Sequence, residues 1–453
     1  MEGKMVEQET IKKITERAKK DDVKFMNLMF TDLMGGIKSV TVPAERIGEL
    51  FEKGMWFDGS SITGFARICE SDMFLIPDPD TYAVLPWEGE TKRTVRFICD
   101  VYTPDGKPFE GDPRYILRRV LKEAESMGYE YNVGPELEFF LFKPTENGKI
   151  EPVPHDVAGY FDFAPRDLAT QVRKEVVFAL EALGIEVEMS HHEVAPGQHE
   201  IDFKYGPALK TADNAITFKH AVKAIAAKFG LYATFMPKPI FGINGSGMHV
   251  HQSLFDIKTK KNIFYDANDK YKFSPIAKSF VAGQLEHVKG MSAVLAPTVN
   301  SYKRLVPGYE APVYICWAQI NRSALIRIPR ASPGREQATR AELRCPDPSC
   351  NPYLTFAVML KAGLDGIKRK LTPPAPVEED VYHFDESKLK EKNIETLPYS
   401  LFDALGYLKK DKVVQEALGS HLYQQYIDIK TAEWDDFRIH VTEWELKRYY
   451  EIT

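Results

Sequence analysis

Val133-Gly134-Pro135-Glu136-Leu137-Glu138-Phe139-Phe140-Leu141-Phe142 reads as a buried strand interrupted by two carboxylates. Side chains two apart on a strand share a face, so Glu136 and Glu138 project from the same side of an otherwise apolar segment. An unpaired buried carboxylate costs several kcal/mol, on the scale of the net stability of a whole domain. A cationic group must therefore stand opposite them, either arginine or a metal ion.

The rest of the chain is ordinary globular protein. Of 453 residues, 44% are hydrophobic and 27% charged, and the formal net charge is −6. That balance argues against a general nucleic-acid binder, while leaving room for local basic pockets. No run reaches the ~18 apolar residues of a membrane span, and residues 1–20 contain no apolar core of a secretory signal. Cys69, Cys99, Cys316, Cys345 and Cys350 are odd in number and scattered, as expected of reduced thiols in a cytoplasm. Cys345 and Cys350 lack a second ligand pair nearby, so they do not make a zinc site.

Periodicity predicts a helix over 5–20, with Ile11, Ile14 and Ala18 on one face, and strands over 23–42 around Met34-Gly35-Gly36. Asp112-Pro113 is a helix start, and Gly128 stops that helix after residue 127. We expect one domain over 1–110 and a second over 111–453. In the second, strands are expected at 129–142, 185–192, 198–204, 231–237, 247–255, near 313–328 and at 338–345. Helices are expected at 167–183, 208–229, 274–295, 352–369 and through 386–452.

Chemistry-bearing residues recur along those strands: His191-His192-Glu193, Gln198-His199-Glu200, Gly242 to Gly247 leading into His249 and His251, and Arg340-Ala341-Glu342-Leu343-Arg344. Each alone fits a structural ion pair, a core histidine or a plain loop. Together they offer five glutamates with histidines. Oxygen-rich ligation with one imidazole suits Mg²⁺ or Mn²⁺, and so many carboxylates suggest more than one ion. The glycine-rich loop lets backbone amides approach phosphates. Arg304, Arg322, Arg327, Arg340 and Arg344 add bidentate donors for phosphate or carboxylate. Without a Walker lysine motif, this set points to an unusual phosphoryl transfer.

From about residue 24 onward the chain resembles type I glutamine synthetases of the non-adenylylated archaeal and Gram-positive branch. The resemblance rests on Trp56-Phe57-Asp58-Gly59-Ser60-Ser61, Gly134-Pro135-Glu136-Leu137-Glu138, the segment from His192 to Glu200, Lys238 to His249, Asn300 to Pro312, Asn321-Arg322-Ser323 and Arg340 to Arg344. It implies an α+β fold, with a β-grasp-like N-terminal domain and a catalytic domain built on a curved antiparallel sheet flanked by helices. It also implies ATP-dependent ligation of ammonium to the γ-carboxylate of glutamate through γ-glutamyl phosphate.

Carried over by matching positions, Glu138, Glu193 and Glu200 would hold one metal, and Glu136, His249 and Glu342 a second. Two or three Mg²⁺, with Mn²⁺ as a substitute, are implied. ATP would meet Glu188, His251, Ser253, Arg327 and Arg340. Glutamate would meet Asn244, Gly245, His249, Arg304 and Arg344. Arg322 would stabilise the phosphoryl group, Asp58 would take a proton from ammonium in a neighbouring subunit's site, and Glu310 would close over the cavity. The family implies a cytoplasmic dodecamer of two hexameric rings, with residues 433–450 as an inter-ring arm.

Residues 392–401 lack the pattern of an adenylylated tyrosine, so covalent switching of Tyr399 is not expected. Gly64-Phe65-Ala66-Arg67 resembles a feedback loop, and glutamine inhibition unchanged in Arg67→Ala would reject that role. Control by 2-oxoglutarate or a nitrogen-regulatory protein stays open. A glutamate–polyamine ligase of the same fold is the alternative. Asp58 and Glu310 favour the smaller ammonium cation.

Overall fold

The computed structural model describes residues 6–62, 64, 72–89, 91, 93–144, 151–332 and 334–452. Strands Val23–Thr31 and Ile37–Pro43 form an antiparallel hairpin. At its turn Gly35 takes φ +82°, which glycine adopts without a Cβ clash, and the Asp32 carboxylate accepts the amide of Gly36 at 2.7 Å. The first hairpin strand runs parallel to Arg93–Tyr102, which continues the sheet through Asp72–Pro77 to Met55–Asp58. Helix Gln8–Lys20 buries Ile11, Ile14 and Ala18, as its periodicity predicts.

The second sheet is centred on Tyr129–Phe142. Met248–Asp256 lies on one side of it and Gln198–Phe203 on the other, both antiparallel. Ala341–Leu343, Ala324–Arg327 and Tyr314–Ala318 extend the sheet one way and Val187–His192 the other. The expectation of a wholly antiparallel sheet needs one correction: Tyr314–Ala318 and Ala324–Arg327 are parallel. The connection between them, residues 319–323, is held by the segment 377–379. Gln319 and Ile320 donate their amides to Glu378, and the Asn321 side chain donates to the carbonyls of Val377 and Glu379. The chain returns from that connection in its original direction.

The two faces of the central strand differ as its alternation predicts. Leu137, Phe139 and Leu141 pack into the main apolar core, where Phe139 meets Phe218 of helix Ala208–Lys228. Glu136 and Glu138 face the other way. Behind the sheet, helices Pro275–Leu295 and Pro352–Arg369 approach at backbone contact. A Cβ on Gly283 would lie 2.2 Å from the carbonyl oxygen of Ala362, so only glycine fits.

Helix Pro113–Ser126 starts as predicted, with the Asp112 side chain accepting the amide of Arg114. Arg114 is buried and reaches Asp78 and Asp100, the latter on strand Arg93–Tyr102, and Asp213 of helix Ala208–Lys228, at 2.6–2.9 Å. Tyr353 donates its hydroxyl to the same Asp213. Among the described residues no helix is long and apolar enough to cross a membrane.

Candidate active site

Strand register assembles the acidic residues into two rows. In one, His249 on Met248–Asp256 stands opposite Glu136, and Glu136 stands opposite Asp202 on Gln198–Phe203. In the next, Glu138 pairs with Glu200, and Glu200 with His191 on Val187–His192. Glu342 sits beside His251 and Arg327 on the flanking strands. The rows line a cavity of about 870 Å³ that also receives Glu193, Asn244, Gly245, Arg304, Glu310, Arg322 and Arg344. A second cavity of about 430 Å³ is lined by Glu188, His251, Ser253 and Arg340. Glu136, Met189 and Asp202 border both cavities, so they mark where the two meet.

One side of the site carries its own positive charge. Glu136 lies 2.7 Å from His251 Nε2 and 3.4 Å from His249 Nδ1. Arg340 donates Nε to His251 Nδ1 at 3.0 Å. That ring nitrogen therefore accepts, and Nε2 carries the proton donated to Glu136. Burial pushes the Glu136 carboxyl up, but the two imidazoles together outweigh it and hold it well below the usual carboxylate range. Glu342 is 1% exposed. Burial opposes its charge too, and His251, Arg344, His249 and Arg327 overcome it.

The other side is short of cations. Glu138 accepts from the Gln198 amide and from the backbone of Gly247, both at 2.9 Å. Burial, reinforced by the charge of Glu193, still pushes it up to about 8. Burial and the neighbouring Glu136 push Asp202 up to about 8. Burial raises Glu200 well above the carboxylate range, with Asp202, Glu138 and Glu136 adding to it. Buried carboxylates crowded this way, with a histidine among them, fit a divalent cation by donor type and by charge.

The glycine-rich loop earns its glycines sterically. A Cβ on Gly245 would sit 2.2 Å from the Pro237 carbonyl, and one on Gly247 2.5 Å from Arg304 Nη2. Arg304 is buried, its guanidinium held by the carbonyls of Arg344, Cys345 and Pro346. Glu310 accepts from the Asn244 amide at 3.0 Å and holds φ +58°, a left-handed backbone that costs a non-glycine residue about 1–2 kcal/mol.

The structure brings to these two cavities every residue given a metal, nucleotide, glutamate or catalytic role except Asp58, whereas His192 and His199 are fully buried away from them beside Asp156 and Arg173. Arg67 lies outside the described residues. Asp58, at the exposed end of Met55–Asp58, accepts from the amide and hydroxyl of Ser60 and lines neither cavity of its own chain. Arg327, expected beside ATP, faces the larger cavity. Sequence reasoning gave Gln198 no role and missed Asp202. The rule that paired Glu136 with Glu138 would have found both, because they stand two residues before and after Glu200.

Residues 110–449 match the family described as "Glutamine synthetase, catalytic domain", and residues 22–104 match "Glutamine synthetase, beta-Grasp domain". The chain belongs to the glutamine synthetase family. It is 54% identical over 436 residues to the glutamine synthetase of Clostridium saccharobutylicum, covering 96% of this chain and 97% of that one. Its identity to the Thermotoga maritima glutamine synthetase is 54% over 443 residues, covering 97% and 99%. A cryo-EM structure of Plasmodium falciparum glutamine synthetase superposes with a TM-score of 0.88 at 27% identity, covering 97% of this chain and 98% of that one. A solved GmaS–ADP complex gives 0.87 at 33% identity, covering 96% and 99%. As a member of this family, the chain is an ATP-dependent ligase that makes glutamine from glutamate and ammonium, on the α+β fold with the β-grasp-like unit expected from its motifs.

Proposed function

We propose that the larger cavity is where γ-glutamyl phosphate forms and reacts, with ATP entering through the smaller one. The observation that carries this reading is the meeting of the two cavities at Glu136 and Asp202, beside carboxylates that lack a protein counter-charge. Glu138, Glu193 and Glu200 would hold one Mg²⁺ or Mn²⁺, and Glu136, His249 and Glu342 another. When bound, these ions offset charge on the phosphate oxygens.

The remaining roles belong to the chain itself. Glu188, His251, Ser253 and Arg340 line the smaller cavity and would take the nucleotide, with Arg327 reaching it from the larger one. ADP in the GmaS relative agrees with a nucleotide site on this scaffold. Asn244, Gly245, Arg304 and Arg344 hold glutamate with its γ-carboxylate toward the terminal phosphate. A carboxylate oxygen attacks that phosphorus and ADP leaves, while Arg322 meets the charge on the transferred group. Asp58 from an adjacent subunit accepts a proton from ammonium, and the resulting ammonia attacks the acyl carbon and expels phosphate. Glu310, held by Asn244, covers the site and keeps water from the acyl phosphate.

This reading divides the chain near residue 110 and requires a homo-oligomer, which we take to be a cytoplasmic dodecamer of two hexameric rings. The exposed position of Asp58 supports a shared site. The exposed Ile439, Val441, Trp444 and Tyr450 around helix Glu443–Tyr449 support an inter-ring arm. ADP release measured with glutamate, ammonium and Mg²⁺ omitted in turn tests the scheme. Full turnover should need all three, and turnover with a larger amine in place of ammonium would reject it.

A further inference from the structure

Lys238 is a buried cation without a carboxylate. It is 8% exposed. Burial and the Arg304 guanidinium both work against its charge, and among the described residues no carboxylate offsets them. A buried charge needs other partners. Its ammonium donates to the carbonyl of Ile243 in the glycine-rich loop. It also lies 3.9 Å from the ring centroid of Tyr309, whose negative face attracts it. The backbone beneath is fixed: the Asn300 side chain accepts the Lys238 amide at 2.8 Å and donates to its carbonyl at 3.0 Å.

Tyr309 precedes Glu310, so three consecutive residues are held by three different segments. Tyr309 rests on Lys238, Glu310 accepts from Asn244 at 3.0 Å, and the Ala311 carbonyl accepts the Tyr382 hydroxyl at 2.8 Å. Glu310 is exposed and left-handed in its backbone, so its single exposed hydrogen bond is a weak hold on a strained residue. We propose that Lys238 and Tyr309 are positioning residues: the ammonium against the tyrosine ring pins Glu310 over the cavity and keeps water from γ-glutamyl phosphate. This rests on the reading of the larger cavity given above. When the pin fails, a water oxygen attacks the acyl carbon and the bond to the phosphate oxygen breaks. Glutamate is regenerated, phosphate leaves with one of the water's protons, and the other goes to solvent. ATP is then consumed without glutamine.

ADP release by the assembled enzyme with glutamate, ATP and Mg²⁺ but no ammonium tests the pin. A cation–ring contact shifts an equilibrium by roughly 2- to 30-fold. Tyr309→Leu should raise this leak by that factor, and in the complete reaction ADP formed per glutamine should rise above one. Tyr309→Phe keeps the ring face and should leak like wild type; a leak as large as that of Tyr309→Leu would overturn the role of the contact. Lys238→Met keeps the stem and drops the charge. It should leak like Tyr309→Leu, with no further increase in the double variant. Should Lys238→Met fail to assemble, the two Tyr309 variants decide. Wild-type leak and coupling in Tyr309→Leu would overturn the pin and leave the proposed function standing. A wild-type enzyme that releases ADP equally fast without glutamate would overturn the proposed function itself.

Discussion

At one end of the cavity Glu136 and Glu342 are matched by His249, His251, Arg327 and Arg344. At the other, Glu138, Glu193, Glu200 and Asp202 crowd together, and among the described residues His191 is their one ion-pair partner. Both ends bury carboxylates, yet only the first is electrically complete as a polypeptide. The difference separates acidic residues whose charge the chain itself already answers before any ion binds from those that have almost no partner until one does. Activity alone cannot tell them apart, because losing either should stop turnover. Stability without metal can.

The largest effects should come from paired substitutions. Glu138→Gln removes a ligand, and kcat/KM should fall more than about 100-fold, since even residues supporting metal ligands cost about 10–100-fold. Its thermal midpoint in EDTA should match or exceed wild type, because a neutral amide replaces a carboxyl whose buried, acidic surroundings resist its ionisation. Glu342→Gln should be as inactive but less stable in EDTA, by about 3 kcal/mol, since it strands buried Arg344 and its neighbour Arg327. Equal shifts in the two EDTA melting curves would erase the distinction between the two ends.

Gly245→Ala comes next. Its Cβ would strike the Pro237 backbone, so the loop must move, and displacements near 1 Å can cost about 100-fold. Steady-state kinetics should show a KM for glutamate raised at least about tenfold, with Mn²⁺ affinity unchanged. Added Mn²⁺ at about 100 times its dissociation constant should stabilise the wild type by about 2.7 kcal/mol per site. Calorimetry should find a smaller gain in Glu138→Gln, and an undiminished gain would place the ion elsewhere.

The smallest effect lies away from the cavity, where His287 bridges Asp411 at 2.9 Å and Asp365 at 3.1 Å. Burial works against the charged ring, but the two carboxylates raise it above its ordinary 6.5. Such a group stabilises the fold fully below about pH 6.5, and that contribution is lost as pH climbs through the raised value. Denaturant curves should therefore show His287→Gln about 1 kcal/mol weaker at pH 6, with the gap narrowing toward pH 9. A gap that widens with pH would mean the pair is not charged.

Much of this was legible in the chain, and the exceptions have physical reasons. Strand alternation around Glu136 and Glu138 identified the site face, and helix 352–369 appears with the predicted bounds. The strand expected over 231–237 shrinks to Tyr232–Thr234, since Pro237 and Pro239 have no N–H for a ladder. The helix expected from 167 begins at Thr170, because the Asp167 carboxylate is engaged by Arg173 and by the amide of Ala169. The charge contrast between the two ends was not legible. It depends on which strand lies beside which, and neighbours such as Glu136 and His249 are more than a hundred residues apart in the chain.

Arg114 gives the architecture a further consequence. Two of its three acidic partners, Asp78 and Asp100, come from the first hundred residues. A fragment trimmed to residues 110–449 would keep Asp213 and leave much of a buried guanidinium unanswered. The larger half is thus not a portable module for grafting onto another scaffold, and whatever bends the smaller half is felt by the larger one as a tug on a shared rivet.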